Sequence, residues 1–251
     1  MSSGELAGRV AIVTGSARNI GRAIALDLAR AGAAIVVNAQ KSADEAQATA
    51  DAIASEGGRA IVRLADVTRP EGAEALVDAA LKAFGRVDCL VNNAAVRRET
   101  PFAVLSFEEW RDVTGIILDG AFLMAKSALP ALKASDAGSI VNIGGMSAHT
   151  GVVDRAHVVT AKAGLVGFTR ALAHDLAPDR ITVNCVVPGM IETKRGGSSA
   201  ATPAHHAKHM PPLGRRGTPD EIAALVRFLA GPQARYITGQ SIHANGGVFM
   251  P

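Results

Sequence analysis

Seven short apolar runs, separated mostly by longer helix-like segments, leave this chain very few architectures. The runs are "RVAIVT" (9–14), "AAIVVN" (33–38), "RAIVRL" (59–64), "VDCLVNN" (87–93), "GSIVNIG" (138–144), "RITVNCVV" (180–187) and "GQSIHANGG" (239–247). They are β-rich and continuous rather than alternating, as strands covered on both faces are. Helix-like stretches occupy 19–31, 42–56, 70–84, 106–134, 155–176 and 219–230. Strand–helix alternation of this kind predicts an α/β fold, a doubly wound parallel sheet of about seven strands with helices on both faces. Gly57-Gly58 closes the second helix and Thr218-Pro219-Asp220 opens the last. No repeat, linker or low-complexity tract divides the 251 residues, so 1–251 reads as one domain.

Aliphatic side chains and Ala must fill the core, because 48% of residues are hydrophobic while only seven Phe, one Trp and one Tyr occur. A net charge of +3 is scattered rather than striped, and aromatic residues for base stacking are scarce, which argues against nucleic acid as a partner. No apolar run approaches a membrane span and residues 1–8 lack a signal-peptide core, so a cytoplasmic protein without a membrane partner is expected. Cys89 and Cys185 lie in apolar runs and read as inert core thiols rather than a disulfide or metal pair.

The first strand runs directly into "TGSARNIGRAIA" (14–25), which continues as a helix. Small residues at Gly15 and Gly21 let backbone N–H groups approach a pyrophosphate, and the helix N-terminus supplies its positive end there. The strand–loop–helix context is what lifts this loop above a chance glycine pattern. The expected cofactor loop is Gly15, Ser16, Arg18, Asn19, Ile20 and Gly21; Asn19 stands where a middle glycine is usual and tolerates positive φ.

Here the chain resembles the short-chain dehydrogenase/reductase family, and within it the 3-oxoacyl-[acyl-carrier-protein]-reductase-like members, over essentially its whole length. The resemblance rests on "TGSARNIG" (14–21), "ADV" (65–67), "NNAA" (92–95), "IVNI" (140–143), "AKAGLVGFTRALAHDL" (161–176), "ITVNCVVPGMIET" (181–193) and "ITGQSIHANGG" (237–247), in order and at the family's separations. It implies a Rossmann-type fold with a substrate lid at about 190–217. It also implies that Asp66 and Val67 hold adenine and that Asn93, Ala94 and Ala95 line the ribose side. Pro188, Gly189, Ile191 and Thr193 would flank the nicotinamide, with Lys162 on the nicotinamide-ribose hydroxyls. A homotetramer or homodimer, with helices 106–134 and 155–176 across a two-fold axis, is implied as well.

The choice of dinucleotide turns on the end of the second strand, "VVNAQKSADEA" (36–46). An acidic residue there would bond a ribose 2′-hydroxyl and repel a phosphate. The chain instead has Asn38, with Lys41, Ser42 and Arg18 close in sequence, which favours NADP(H) over NAD(H). The alternative reads Lys41 as a solvated charge and Ser42 as a helix cap.

The family uses Asn, Ser, Tyr and Lys for proton transfer, the last two at i and i+4 on one helix face. Only Lys162 is left: four residues before it stands Val158, the serine position falls on Gly145 and the asparagine position on Ile117. The chain's one tyrosine, Tyr236, falls in a segment where the family has a structural residue. General acid catalysis is worth roughly 10²–10⁴ in rate, or about 3–5 kcal/mol, so the loss is chemically large. Candidate replacements are Ser147, which an extended backbone would aim like residue 145, His149 in the loop "SAHTG", and His157. His157 lies about 100° off the lysine face unless the helix starts late or bulges. Each also has a structural reading: a loop hydroxyl bonding its own backbone, or a packed or capping histidine. Thr150 and Thr160 read as structural.

Arg97, Arg98 and Arg155, with Lys194 and Arg195, surround the expected substrate mouth and suit an anionic small molecule, although Glu99, Asp154 and Glu192 are available to pair them. His205, His206 and His209 lack an accompanying glutamate base, so no metal is expected. The sequence thus predicts an NAD(P)(H)-dependent oxidoreductase moving hydride between nicotinamide and a carbonyl or alcohol by a non-standard proton path. Two alternatives stay open. One is an imine reductase using a pre-protonated substrate; the other is a catalytically degenerate NADP-binding sensor or partner protein.

Overall fold

The computed structural model describes residues 4–193 and 210–251. Seven parallel strands form one sheet in the order β3-β2-β1-β4-β5-β6-β7: β1 (Val10–Val13), β2 (Ala34–Ala39), β3 (Arg59–Leu64), β4 (Cys89–Asn92), β5 (Ser139–Ile143), β6 (Thr182–Pro188) and β7 (Ser241–Ala244). The helices are α1 (Asn19–Arg30), α2 (Ala43–Ser55), α3 (Pro70–Phe84), α4 (Phe107–Thr114), α5 (Gly120–Ala134), a single turn α6 (Ser147–Thr150), α7 (Ala156–Leu176) and α8 (Pro219–Ala230).

The continuous apolar runs work because alternate residues serve opposite faces. Val10 and Ile12 of β1 join Leu76, Leu90, Met124, Leu132 and Ile140 on the side covered by α3 and α5. Ala11 and Val13 join Ile24, Leu28, Ile35, Ile53, Ile222 and Val226 beneath α1, α2 and α8. Helix ends follow local chemistry. Thr218 accepts from the Glu221 amide while the Glu221 side chain bonds back to the Thr218 amide, a capping box that starts α8. Gly85, at φ +80, stops α3.

The predicted helix 106–134 is three pieces. A π-helical segment, Gly115–Asp119, joins α4 to α5 and contains Ile117, the position aligned with the family asparagine. π-turns widen the backbone locally and are frequent at functional sites. The run Phe107–Ala134 is also long and apolar enough to cross a membrane by length and composition, contrary to the expectation that no such stretch exists. It packs against α3, α7, β4 and β5, and its apolar character serves that contact.

Asp88, just before β4, ties the sheet to its flanking loops. Its buried carboxylate accepts from the Val10 amide at 2.8 Å, from Arg86 through Nε at 2.8 Å and Nη2 at 2.6 Å, and from the Ser135 hydroxyl. Asp88→Ala strands the buried Val10 amide, at about 1–3 kcal/mol for a buried group left unpaired, while the part-exposed Arg86 keeps its bond to Asp136. Urea unfolding is expected to register a loss of about 2 kcal/mol, and a change below about 0.5 kcal/mol contradicts the assignment.

Candidate active site

Strand order reverses between β1 and β4, so the crevice at their carboxyl ends is where an open α/β sheet binds ligands. The loop from β1 enters this crevice. Gly15 has φ +62 and Asn19 φ +52, the latter as its residue type allows. A Cβ placed on Gly21 would lie 2.4 Å from the Gly15 carbonyl oxygen and 2.5 Å from Asn93 Nδ2. The loop is held from both neighbouring strands. Thr14 Oγ1 accepts from the Asn93 and Ala94 amides at 2.9 and 3.0 Å, and Asn93 Nδ2 donates to the Thr14 and Gly15 carbonyls. A glycine cradle opening into α1 fits a dinucleotide pyrophosphate.

The side chains of two residues expected on the cofactor are bonded within the protein. Ser16 is fully buried; its hydroxyl donates to the Val13 carbonyl at 2.7 Å and accepts from the Asn38 amide at 3.0 Å. Asn38, 2% exposed, accepts from the Gly15 amide through Oδ1 and spends Nδ2 on the Ala39, Arg63 and Ala65 carbonyls. Its amide staples the loop to β2 and β3 and has no donor left for a ribose. Lys41 is exposed, and Ser42 sits at the α2 N-cap with its hydroxyl making no capping bond. Arg18 lies 3.6 Å from Glu45. Asp66 accepts from Thr68 at 2.9 and 2.7 Å and from Gln40 at 2.8 Å; burial pushes its carboxyl up, and these bonds outweigh it and hold the pKa low. Val67 is buried beside Gly120.

At the far end of the crevice, α7 places Lys162 (8% exposed) with Nζ donating to the Ile143 carbonyl at the end of β5. Burial pushes its pKa down to about 8, with Cys185 of β6 acting against the fall and Arg97 adding to it. One turn earlier Val158 packs with Val113, Ile117 and Ala161, against Val96 and Leu118. Among the described residues, and chain neighbours aside, a Cβ on Gly145 would meet only Lys162 Cγ, at 3.9 Å. The positions expected to match the family's tyrosine and asparagine thus carry packed apolar side chains, and the one expected to match its serine carries no side chain. Tyr236, the chain's single tyrosine, is fully exposed on the surface.

None of the three proposed substitutes is set up as expected. Met146 is helical (φ −54, ψ −37) and Ser147 begins α6, so the extended backbone that would aim Ser147 like residue 145 is absent. α7 starts at Ala156 without a bulge, and His157 is fully buried with Nε2 3.4 Å from Glu109 Oε1 of α4. His149 packs edge-on against His243 of β7, with centroids 4.6 Å apart, and against Phe249; burial lowers its pKa. Signals for the buried partners of the site were weak in sequence. Asn92 donates to Asn142 Oδ1, Asn142 to Thr169 Oγ1 and Thr169 to the Leu165 carbonyl, a chain crossing β4, β5 and α7 that only pairing register brings together.

On the substrate side, Arg98 pairs with Asp112 at 2.5 Å and Arg155 with Glu99, so two of the four arginines expected to draw an anion are paired with carboxylates. Arg97 donates to Thr193 Oγ1 at 3.2 Å. Gly189, where a Cβ would lie 2.6 Å from Asn245 Cα, turns the chain from β6 to the bridge at Ile191 and Gly217. Pro188 accepts from the Met146 amide at 3.1 Å. Most of the expected lid, with Lys194, Arg195, His205, His206 and His209, lies outside the described residues; among those described no group of three His, Cys, Asp or Glu could hold a metal.

A family model described as enoyl-(acyl carrier protein) reductase matches residues 15–249. The chain is 40% identical over 246 residues to the 3-oxoacyl-[acyl-carrier-protein] reductase of Vibrio cholerae, covering 98% of this chain and 99% of that protein. A dehydrogenase/reductase from Sinorhizobium meliloti superposes with TM-score 0.91 at 36% identity, over 96% of this chain and 95% of that one. The chain belongs to the short-chain dehydrogenase/reductase family. Membership makes it an NAD(P)-dependent oxidoreductase with a Rossmann-type fold. Another member, a short chain dehydrogenase from Burkholderia cenocepacia solved in complex with NADP, has TM-score 0.90 at 35% identity, over 97% of this chain and 98% of that one.

Proposed function

We propose that this chain is an NADP(H)-dependent reductase or dehydrogenase of a small carbonyl or alcohol substrate, working without the family's phenolic proton relay. The observation that carries the reading is Lys162 held at the end of an intact dinucleotide crevice, with Val158, Ile117 and Gly145 where proton-relay groups would stand. The relatives' names favour a 3-oxoacyl thioester as the carbonyl class. NADP is favoured because residues 38–42 carry no acid, Lys41 is exposed and the Ser42 hydroxyl is uncommitted to the α2 cap. The NADP-bound relative supports the same choice.

When bound, the nicotinamide supplies or accepts the hydride. The chain's own work is to grip and to orient. Gly15 and Gly21 admit the pyrophosphate, Asp66 and Val67 border the adenine, and Lys162 meets the nicotinamide ribose. Val158, Val113 and Ile117 keep water from the reacting carbon. The apolar surroundings also favour a second reading, reduction of an imine already protonated in solution, whose product is a neutral amine that needs no acid from the protein. Assembly as a homodimer or homotetramer through α5 and α7 is supported by the half-exposed Phe122 on α5.

Calorimetry with NADPH and NADH, followed by absorbance at 340 nm with a panel of carbonyls (a 3-oxoacyl thioester among them) and imines, tests this. The expected result is tighter binding of NADPH and its consumption with at least one carbonyl. Consumption with imines alone selects the second reading. Binding without any consumption marks a dinucleotide sensor.

A further inference from the structure

We propose that Nζ of Lys162 is itself the proton donor to the substrate oxygen, acting in the space that the missing hydroxyls leave open. This rests on the reading of the protein as a carbonyl reductase. The two candidate histidines and the nearby thiol have other surroundings. His157 is buried against Glu109, His149 against His243 and Phe249, and the Cys185 thiol lies 3.8 Å from the Val186 carbonyl with its pKa pushed up to about 11 by burial. No tyrosine exists to take the role, since Tyr236 is on the surface.

Lys162 has the converse placement. It is buried in the crevice and held by the Ile143 carbonyl two residues before Gly145; among the described residues, chain neighbours aside, Lys162 Cγ is the only heavy atom within 4 Å of a Gly145 Cβ. A substrate oxygen can approach along the side from which a serine would project. The charged and titratable groups facing the ammonium are Cys185 of β6 and Arg97 of the loop after β4; no carboxylate among the described residues faces it. No carboxylate therefore holds the proton beyond the Ile143 carbonyl, and burial together with Arg97 makes it easier to release. A pKa of about 8 leaves the ammonium mostly charged at neutral pH yet near the optimum for general acid catalysis.

The step balances without a further reagent. As the carbonyl carbon accepts hydride from the reduced nicotinamide, a C–H bond forms and the π pair passes to oxygen. That oxygen takes a proton from Nζ, an O–H bond forms as an N–H bond breaks, and the neutral amine left behind regains a proton from water.

Lys162→Arg separates proton donation from charge. A guanidinium keeps the positive charge and donors for the ribose but holds its proton throughout the accessible pH range. Three readouts are needed: kcat and kcat/KM across pH for a 3-oxoacyl thioester with NADPH, the NADPH Kd by fluorescence, and an NMR titration of 13C-labelled lysines in the cofactor-free protein. The acid must be protonated to act, so wild-type kcat/KM for reduction is expected to hold below its pKa and fall about tenfold per pH unit above about 8. The Lys162 resonance is expected to titrate at the same pH. In Lys162→Arg, kcat is expected to drop about 100-fold, the inflection to vanish and the NADPH Kd to stay within about threefold. A lysine titrating above pH 10, wild-type reduction undiminished to pH 10, or an arginine variant with near wild-type kcat overturns the assignment and leaves the reductase reading standing. NADPH binding with no carbonyl turnover by the wild type removes both. The wild-type profile and titration decide the matter even if the variant does not fold.

Discussion

Gly21→Ala is expected to weaken NADPH binding by roughly 100-fold, equivalent to about 2.7 kcal/mol, while the protein stays folded. The new methyl group would begin 2.4 Å from the Gly15 carbonyl oxygen and 2.5 Å from Asn93 Nδ2. The first of these is backbone and cannot swing aside. Relief requires the loop to lift away from α1, which moves the amides that would face the pyrophosphate and breaks the bonds from Asn93 to the Thr14 and Gly15 carbonyls. Overpacking of this kind costs about 1–3 kcal/mol of stability, too little to unfold an ordinary domain. Calorimetry with NADPH, with circular dichroism as the folding control, measures it. Unchanged affinity would show that the ligand does not sit on this loop.

The second large effect is a gain. Gly145→Ser with Val158→Tyr returns a hydroxyl to each of two positions aligned with the family's relay, and carbonyl reduction by NADPH is expected to rise by about 10²–10⁴. A serine Cβ fits, because its nearest neighbour would be Lys162 Cγ at 3.9 Å. The tyrosine is harder. Val158 is buried among Val113, Ile117 and Ala161, and the larger ring costs about 1–3 kcal/mol unless those side chains yield. Residues 158 and 162 are one turn apart on α7, so the phenol and the lysine share a face. Lys162 then ceases to be the sole donor, and the pH dependence of reduction should change along with the rate. Absorbance at 340 nm across pH reads both. If the rate stays flat with NADPH affinity intact, the absent hydroxyls were not what limits this protein.

Much of this protein was legible before any coordinates. The seven strands and the glycine loop after the first of them are local or ordered features: an apolar run, a glycine after a strand. Helix boundaries were legible where side chains write them, as at Thr218. The π-segment at Gly115–Asp119 was not, since no residue type marks it.

What the sequence by itself determined is the doubly wound sheet, because strand–helix alternation follows from periodicity along one chain. What only the tertiary structure decided is which polar groups are free. Asn38 and Ser16 are bonded to the backbone of the loop and strands, and Arg98 and Arg155 are paired with Asp112 and Glu99. A side chain's hydrogen-bond capacity is consumed by partners from distant segments, and those partners are set by strand order and helix packing rather than by neighbours in sequence.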